Sequence, residues 1–177
     1  MKALILTSEE FEEAELLVPY YRLLEENIAV DIAAPSRGAI RGKHGYPWAA
    51  TKSLAEIDPN KYAVLIIPGG GAAETLSEDR QAIRIAEVFL EEHKLTAAIC
   101  HGPLVLIATG LMEDRHITGH ESIAFALRAA HAHYSATPVM VDDHVITARQ
   151  PADLPAFMRE VIKHIGMLAA QSSPDTQ

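Results

Sequence analysis

Ala97-Ala98-Ile99-Cys100-His101-Gly102-Pro103 joins a strand-like run to a helix-like one through a sharp turn, the signature of an α/β fold. It sets the only cysteine of the 177-residue chain between two apolar runs. Leu95 to Ile99 has strand length, and Leu104 to Ala108 reads as a short helix stopped at Gly110. The chain must therefore turn sharply at Cys100. Gly102 relieves backbone crowding in such a turn, and Pro103 suits a first helical position, where its missing N–H has no partner to lose. A lone cysteine is by default a small buried hydrophobe. The strand-Cys-His-Gly-Pro context argues instead for a nucleophile beside a helix N-terminus. There, unpaired N–H groups and the helix dipole are expected to favour the thiolate. The turn is related to the G-x-S-x-G elbow of hydrolases, with cysteine at its tip and no glycine two residues earlier.

Outward from the elbow, strands and helices alternate. Ala3 to Leu6 predicts a buried strand, Phe11 to Glu26 an amphipathic helix and Ala29 to Ala34 a second strand. Gly38 to Thr51 reads as a hairpin or irregular excursion. Ala63 to Ile67 is a buried strand running into the loop Pro68-Gly69-Gly70-Gly71. Arg80 to Glu92 carries helical apolar spacing, and Ile123 to Ala130 predicts a short helix. Val139 to Val141 and Val145 to Ala148 form a hairpin candidate around Asp142-Asp143-His144, and Pro151 to Ala170 a terminal helix. The pattern predicts an α/β fold: a mainly parallel sheet covered by helices on both faces, in one domain over 1–170, with a polar tail over 171–177. Ligands of such sheets bind at the carboxyl ends of the strands. Three loops meet there: the turn after Leu6, the glycine turn after Ile67 and the Cys100 elbow.

The chain carries 15 Lys and Arg against 24 Asp and Glu, a formal charge of −9. This balance argues against nucleic acid or an anionic membrane as main partner. The N-terminal apolar run is too short for a signal peptide and turns acidic at once, and no stretch approaches about 18 apolar residues. A cytoplasmic location is expected, and a single cysteine, which cannot form an internal disulfide, agrees with a reducing compartment. No G-x-x-x-x-G-K-[ST] or G-x-G-x-x-G occurs, which disfavours nucleotide binding.

Glu9, Glu10, Glu12, Glu13 and Glu15 follow the first strand. Acidic residues at a helix start ordinarily complement the dipole. One of them, buried at the strand edge, would have a raised pKa and donate a hydrogen bond to the Cys100 sulfur, but composition does not choose among the five. The N–H groups of Gly70 and His101 form a reasonable oxyanion hole. His101 is base, proton shuttle or bystander, since adjacent side chains in an elbow need not face each other. Among nine histidines, His131-Ala132-His133 would put two imidazoles on one side of a strand, but no carboxylate has diagnostic spacing, and neither a metal nor a cofactor is expected.

From Lys2 to about His164 the chain resembles the PfpI-type peptidases of the DJ-1/PfpI superfamily. The resemblance rests on Glu9-Glu10-Phe11-Glu12-Glu13-Ala14-Glu15-Leu16, Gly42-Lys43-His44-Gly45, Ile67-Pro68-Gly69-Gly70, Ile99-Cys100-His101-Gly102-Pro103 and Pro151-Ala152-Asp153-Leu154. It implies a flavodoxin-like three-layer sandwich with Cys100 as nucleophile, Glu12 as the carboxyl bonded to it and His101 as the neighbouring catalytic histidine. It also implies that Glu74 reaches the histidine of a neighbouring subunit, so that the site is completed only in an oligomer. The chain departs from its relatives at Gly71, Ala73 and His120-Glu121, which affects substrate preference more than the nucleophile. His120 is a candidate substrate contact.

Three functions follow. In the first, Cys100 attacks an aldehyde such as methylglyoxal, a base moves a proton and a hydroxy acid is released without glutathione; release of early glycation adducts from proteins is the related activity. The second is intracellular peptidase action through the same thiolate. The third is non-enzymatic, a redox sensor or stress holdase in which Cys100 is oxidised. A small pocket closed by a neighbouring subunit ranks carbonyl chemistry above proteolysis.

Overall fold

Ala3, Leu4, Ile5 and Leu6 are all fully buried, because β1 (Lys2–Leu6) lies inside a sheet covered on both faces. The structure, a computed structural model, describes residues 1–172. After β1 come α1 (Glu13–Glu25), β2 (Ala29–Ala34), a hairpin of β3 (Gly38–Arg41) and β4 (Pro47–Ala50), β5 (Lys52–Ser53) and β6 (Val64–Ile67). Then follow α2 (Gly71–Glu78), α3 (Arg80–Glu91), β7 (Leu95–Ile99), α4 (Pro103–Ala108), β8 (His116–Ile117) and α5 (Ala124–Ala129). The last elements are β9 (His133–Tyr134), β10 (Val139–Asp142), β11 (Val145–Ala148) and α6 (Leu154–Ser172).

Seven strands form the main sheet in the order β10-β11-β7-β6-β1-β2-β5. All neighbours pair parallel except the β10–β11 hairpin. The alternation of side chains along each strand divides the interior in two. Ala3, Ile5, Val64, Ile66, Ala97 and Ile99 face Leu16 and Leu23 of α1 and Phe157, Val161 and Ile165 of α6. Leu4, Leu6, Leu65, Ile67 and Ala98 face Ile85 and Phe89 of α3, Val105 and Leu106 of α4 and Leu127 of α5. This is the mainly parallel sheet between two helical layers that the alternation of elements predicts, in the flavodoxin-like form that the resemblance implies.

Some local expectations change. The helix expected from Phe11 starts at Glu13, with Glu12 as its N-cap, because Phe11 is bridged to Gly42 on one side and Gly70 on the other. The glycine loop is shorter than expected and opens α2, whose Ala72, Ala73 and Leu76 are buried. His131 and His133 do not share a strand face: His131 lies at φ 59° in a turn, and β9 begins only at His133. Helix α6 includes Gln171 and Ser172, which the sequence reading assigns to the tail; residues 173–177 lie outside the described residues. Among the described residues no helix is long and apolar enough to cross a membrane.

Candidate active site

Cys100 follows β7 directly, in the left-handed region at φ 62°. A non-glycine residue is uncommon there, and the surrounding structure must hold it in place. Its N–H donates to Ala148 O at 2.9 Å and its carbonyl accepts from His120 N–H at 2.9 Å. Both neighbours of the elbow are thereby pinned to it. A side chain at Gly102 would collide with the carbonyl of Ile67, so this turn admits only glycine. Pro103 opens α4 as expected.

The three loops meet where the parallel topology brings them together. Gly70 caps α2 at φ 78°, packed against the backbone of Glu10, Phe11 and Glu12. Around the elbow lies a cleft of about 440 Å³, lined by Glu12, Lys43, Gly70, Glu74, Cys100, His101, His120 and Gln150 among others. The sequence-predicted residues thus line one cavity, joined by Lys43 from the β3–β4 turn.

The structure distributes the five glutamates and corrects one assignment. Glu9 accepts from Arg41 N–H at 2.9 Å, Glu12 pairs with Lys43, and Glu13 holds His44 through Nδ1 at 2.8 Å. The carboxyl at the thiol is Glu15 rather than Glu12. Glu15 is fully buried, and its Oε2 accepts from Gly69 N–H at 2.8 Å. A Cβ placed on Gly69 would lie 2.8 Å from both Cys100 Cβ and Glu15 Oε2, and 2.9 Å from the backbone nitrogen of His101. These groups therefore crowd one point. The physical reason is helix register: Glu12 precedes the first turn of α1 and turns toward Lys43, whereas Glu15 lies one turn in, on the face that meets the sheet.

Burial raises the Glu15 carboxyl to about 7, with the Glu12 charge adding to the rise and the Gly69 N–H opposing it. Burial likewise pushes the Cys100 thiol up, to about 12; the Glu15 charge adds to this, while the His101 N–H and Lys43 pull it down. A thiolate favoured by the helix N-terminus alone is thus not what the structure holds. Helix α4 has only six residues, and its weak field is outweighed by desolvation and a neighbouring carboxylate. Thiol and carboxyl form a coupled pair, and the thiolate state is the one in which Glu15 keeps the proton. Glu15 Oε1 is buried and has no hydrogen-bond partner among the described residues.

His101 does face the nucleophile, with Nδ1 3.3 Å from Cys100 Sγ. Its Nε2 is 3.0 Å from Ser122 Oγ, which is 2.8 Å from His120 Nδ1, and the two rings stack with centroids 4.9 Å apart. Burial, followed by the adjacent His120, holds the His101 pKa below the ordinary histidine value, so the ring is neutral and basic at neutral pH. Ser122 is a site residue that the sequence reading misses. Glu74 is exposed on α2 and acts on His101 through its charge, which favours the protonated ring.

The DJ-1/PfpI family model matches residues 1–164. The chain belongs to the DJ-1/PfpI family. A deglycase of Pyrococcus horikoshii is 40% identical over 163 residues, covering 92% of this chain and 98% of that protein. Deglycase PfpI of Pyrococcus furiosus is 39% identical with the same coverage. YraA of Bacillus subtilis, named as a candidate cysteine protease, is 36% identical, covering 90% of this chain and 95% of its own length. Among solved structures, a two-domain Anabaena variabilis protein with a DJ-1/ThiJ/PfpI-like and a ferritin-like domain superposes with TM-score 0.92 at 28% identity, covering 94% of this chain and 50% of that one. Schizosaccharomyces pombe DJ-1 superposes with TM-score 0.86 at 23% identity, covering 98% of this chain and all of that one, a likeness of fold.

Proposed function

We propose that the chain is a cysteine-dependent enzyme acting on reactive carbonyls, converting methylglyoxal to lactate or releasing the corresponding adducts from protein side chains. The observation that carries this reading is the buried Glu15 carboxyl beside a cysteine held at φ 62°, with His101 Nδ1 at 3.3 Å from its sulfur. Names of relatives at about 40% identity support it as well.

In this scheme the Cys100 sulfur adds to the aldehyde carbon, forming a C–S bond, and the proton that the Cys100–Glu15 pair gives up passes through His101 Nδ1, 3.3 Å from the sulfur, to the carbonyl oxygen to give a hemithioacetal. The N–H groups of Gly70 and His101 steady the developing oxyanion. His101 removes the proton from the former aldehyde carbon, giving an enediolate, and returns it to the neighbouring carbon while the hydroxyl proton passes from the first oxygen to the second, which leaves a thioester of the hydroxy acid. Water cleaves that thioester, lactate departs and the sulfur regains its starting state. No electrons leave the system: one carbon is oxidised while its neighbour is reduced. The Ser122–His120 chain connects His101 to the cleft mouth, a path for the proton that His101 carries. Self-association, with Glu74 reaching the His101 of a neighbouring copy, belongs to the same reading; Glu74 is exposed on α2, where a second copy can meet it.

Peptide hydrolysis would begin with the same sulfur, and a protection experiment separates the two. Cys100 is the only cysteine, so alkylation by iodoacetamide, followed by intact mass, reports this site alone. Methylglyoxal should slow the labelling while an unstructured peptide leaves it unchanged. Protection by the peptide and none by the aldehyde would favour proteolysis. Sulfur oxidation by peroxide in the absence of any carbonyl protection would favour a redox sensor.

A further inference from the structure

At the end of the sheet opposite Cys100, two turns bring together three metal-binding side chains that the carbonyl chemistry does not use. His93 precedes β7 and adopts φ 52°; Asp143 lies at φ 56° in the β10–β11 turn, with His144 next to it. His93 Nδ1 is 3.3 Å from His144 Nδ1, His93 Nδ1 is 3.5 Å from Asp143 Oδ2, and His144 Nδ1 is 2.8 Å from the same oxygen. One ligand atom from each residue therefore converges on a single point. A tetrahedral ion with bonds of about 2.0–2.1 Å places its ligand atoms about 3.3 Å apart, which two of the three edges match. The third edge is shortened by the hydrogen bond that holds Asp143 to His144.

We propose that His93, Asp143 and His144 form a binding site for a divalent first-row transition ion, of which Zn²⁺ is the natural probe. Two imidazoles and one carboxylate are the donor set that such ions prefer over Mg²⁺ or Ca²⁺. Electron pairs aimed at one another at these distances repel unless a proton or a cation lies among them. The site is partly built in advance. His144 has a side chain 7% exposed, and its carbonyl accepts from Thr96 N–H at 2.9 Å, so its backbone is tied to β7. The Asp143 carboxylate is held toward the two rings by its contact with His144 Nδ1 at 2.8 Å. Arg115, the cation that acts on Asp143, lies 4.0 Å from Asp142, which gives it a carboxylate partner of its own. His93 and Asp143 are two-thirds exposed, which leaves an entry path for the ion.

His164 of α6 lines the same hollow of about 220 Å³. Its Nδ1 donates to Glu160 O at 2.8 Å, and its ring does not join the three converging ligand atoms, which leaves the fourth position to solvent. The bound ion would fasten the start of β7 to the β10–β11 hairpin, two segments about 50 residues apart in sequence and roughly 15–20 Å from the nucleophile along β7.

The test is Zn²⁺ binding by equilibrium dialysis and calorimetry on tag-free protein, wild type and Cys100→Ser, since the elbow thiol is itself a zinc ligand. The expected result is one Zn²⁺ per chain retained in Cys100→Ser. His93→Ala and Asp143→Asn should each weaken it at least tenfold without changing turnover at Cys100; asparagine tolerates the left-handed backbone at 143. Absence of binding in Cys100→Ser would overturn the proposal, as would an affinity that neither substitution alters.

Discussion

Replacing Glu15 by glutamine should make the protein more stable and abolish its activity. Burial raises the Glu15 carboxyl from an ordinary glutamate value near 4.5 to about 7. That difference corresponds to about 3 kcal/mol between the ionised and neutral forms. Between these two pH values the folded chain holds a proton that the unfolded chain has released, so folding stability falls as pH rises through the window. Above it the cost of the buried charge is complete. Glutamine keeps an acceptor for the Gly69 N–H but has no charge to bury. Glu15→Gln should therefore be up to about 3 kcal/mol more stable than wild type at pH 8 and close to it at pH 4. For a domain of this size that is a rise of about 6–12 °C in Tm at pH 8. The assay is thermal and denaturant unfolding of both proteins across pH 4–8, with turnover measured alongside. A variant less stable at pH 8, or an offset independent of pH, would refute the reasoning.

Other predictions concern the surroundings of the thiol. Ser122→Ala breaks the link between His101 and His120, and should lower kcat about tenfold or more with KM little changed and stability within about 0.5 kcal/mol, read by steady-state kinetics and denaturation. Lys43→Met removes a charge that pulls the Cys100 thiol down, so alkylation by iodoacetamide should slow at a fixed pH near neutrality; an unchanged rate would contradict the electrostatic role. Gly102→Ala drives a methyl group into the Ile67 carbonyl and should cost about 4 kcal/mol or more, seen as loss of the cooperative unfolding transition.

Much of this architecture was legible because the strands are buried on both faces and so read as short apolar runs. Ala29–Ala34 and Leu95–Ile99 have the boundaries that the apolar pattern predicts. The elbow was legible for a steric reason: Gly102 and Pro103 suit almost no other geometry after a strand. The carboxyl was not, because five glutamates within seven residues differ only in where the helix begins, and that is set by contacts of Phe11 with Gly42 and Gly70, distant in sequence. One signal was available. Glu15, Pro19 and Leu23 are four residues apart, and α1 buries all three along one stripe, whereas Glu12 lies outside the helix. The resemblance to relatives favoured Glu12, which the structure places against Lys43 instead. Ser122 was invisible because nothing local marks it; it reaches His101 only through the loop that His120 anchors to the Cys100 carbonyl. The His93, Asp143 and His144 cluster escaped for the same reason, its members meeting only through the parallel pairing of β7 with β11.

The decisive measurement for Cys100 catalysis is lactate production from methylglyoxal, by wild type and Cys100→Ala at equal concentration and with both confirmed as folded. Wild type should turn methylglyoxal over, and Cys100→Ala should show nothing above the uncatalysed rate. Equal rates in the two proteins, or no lactate from a folded wild type, would contradict a catalytic Cys100.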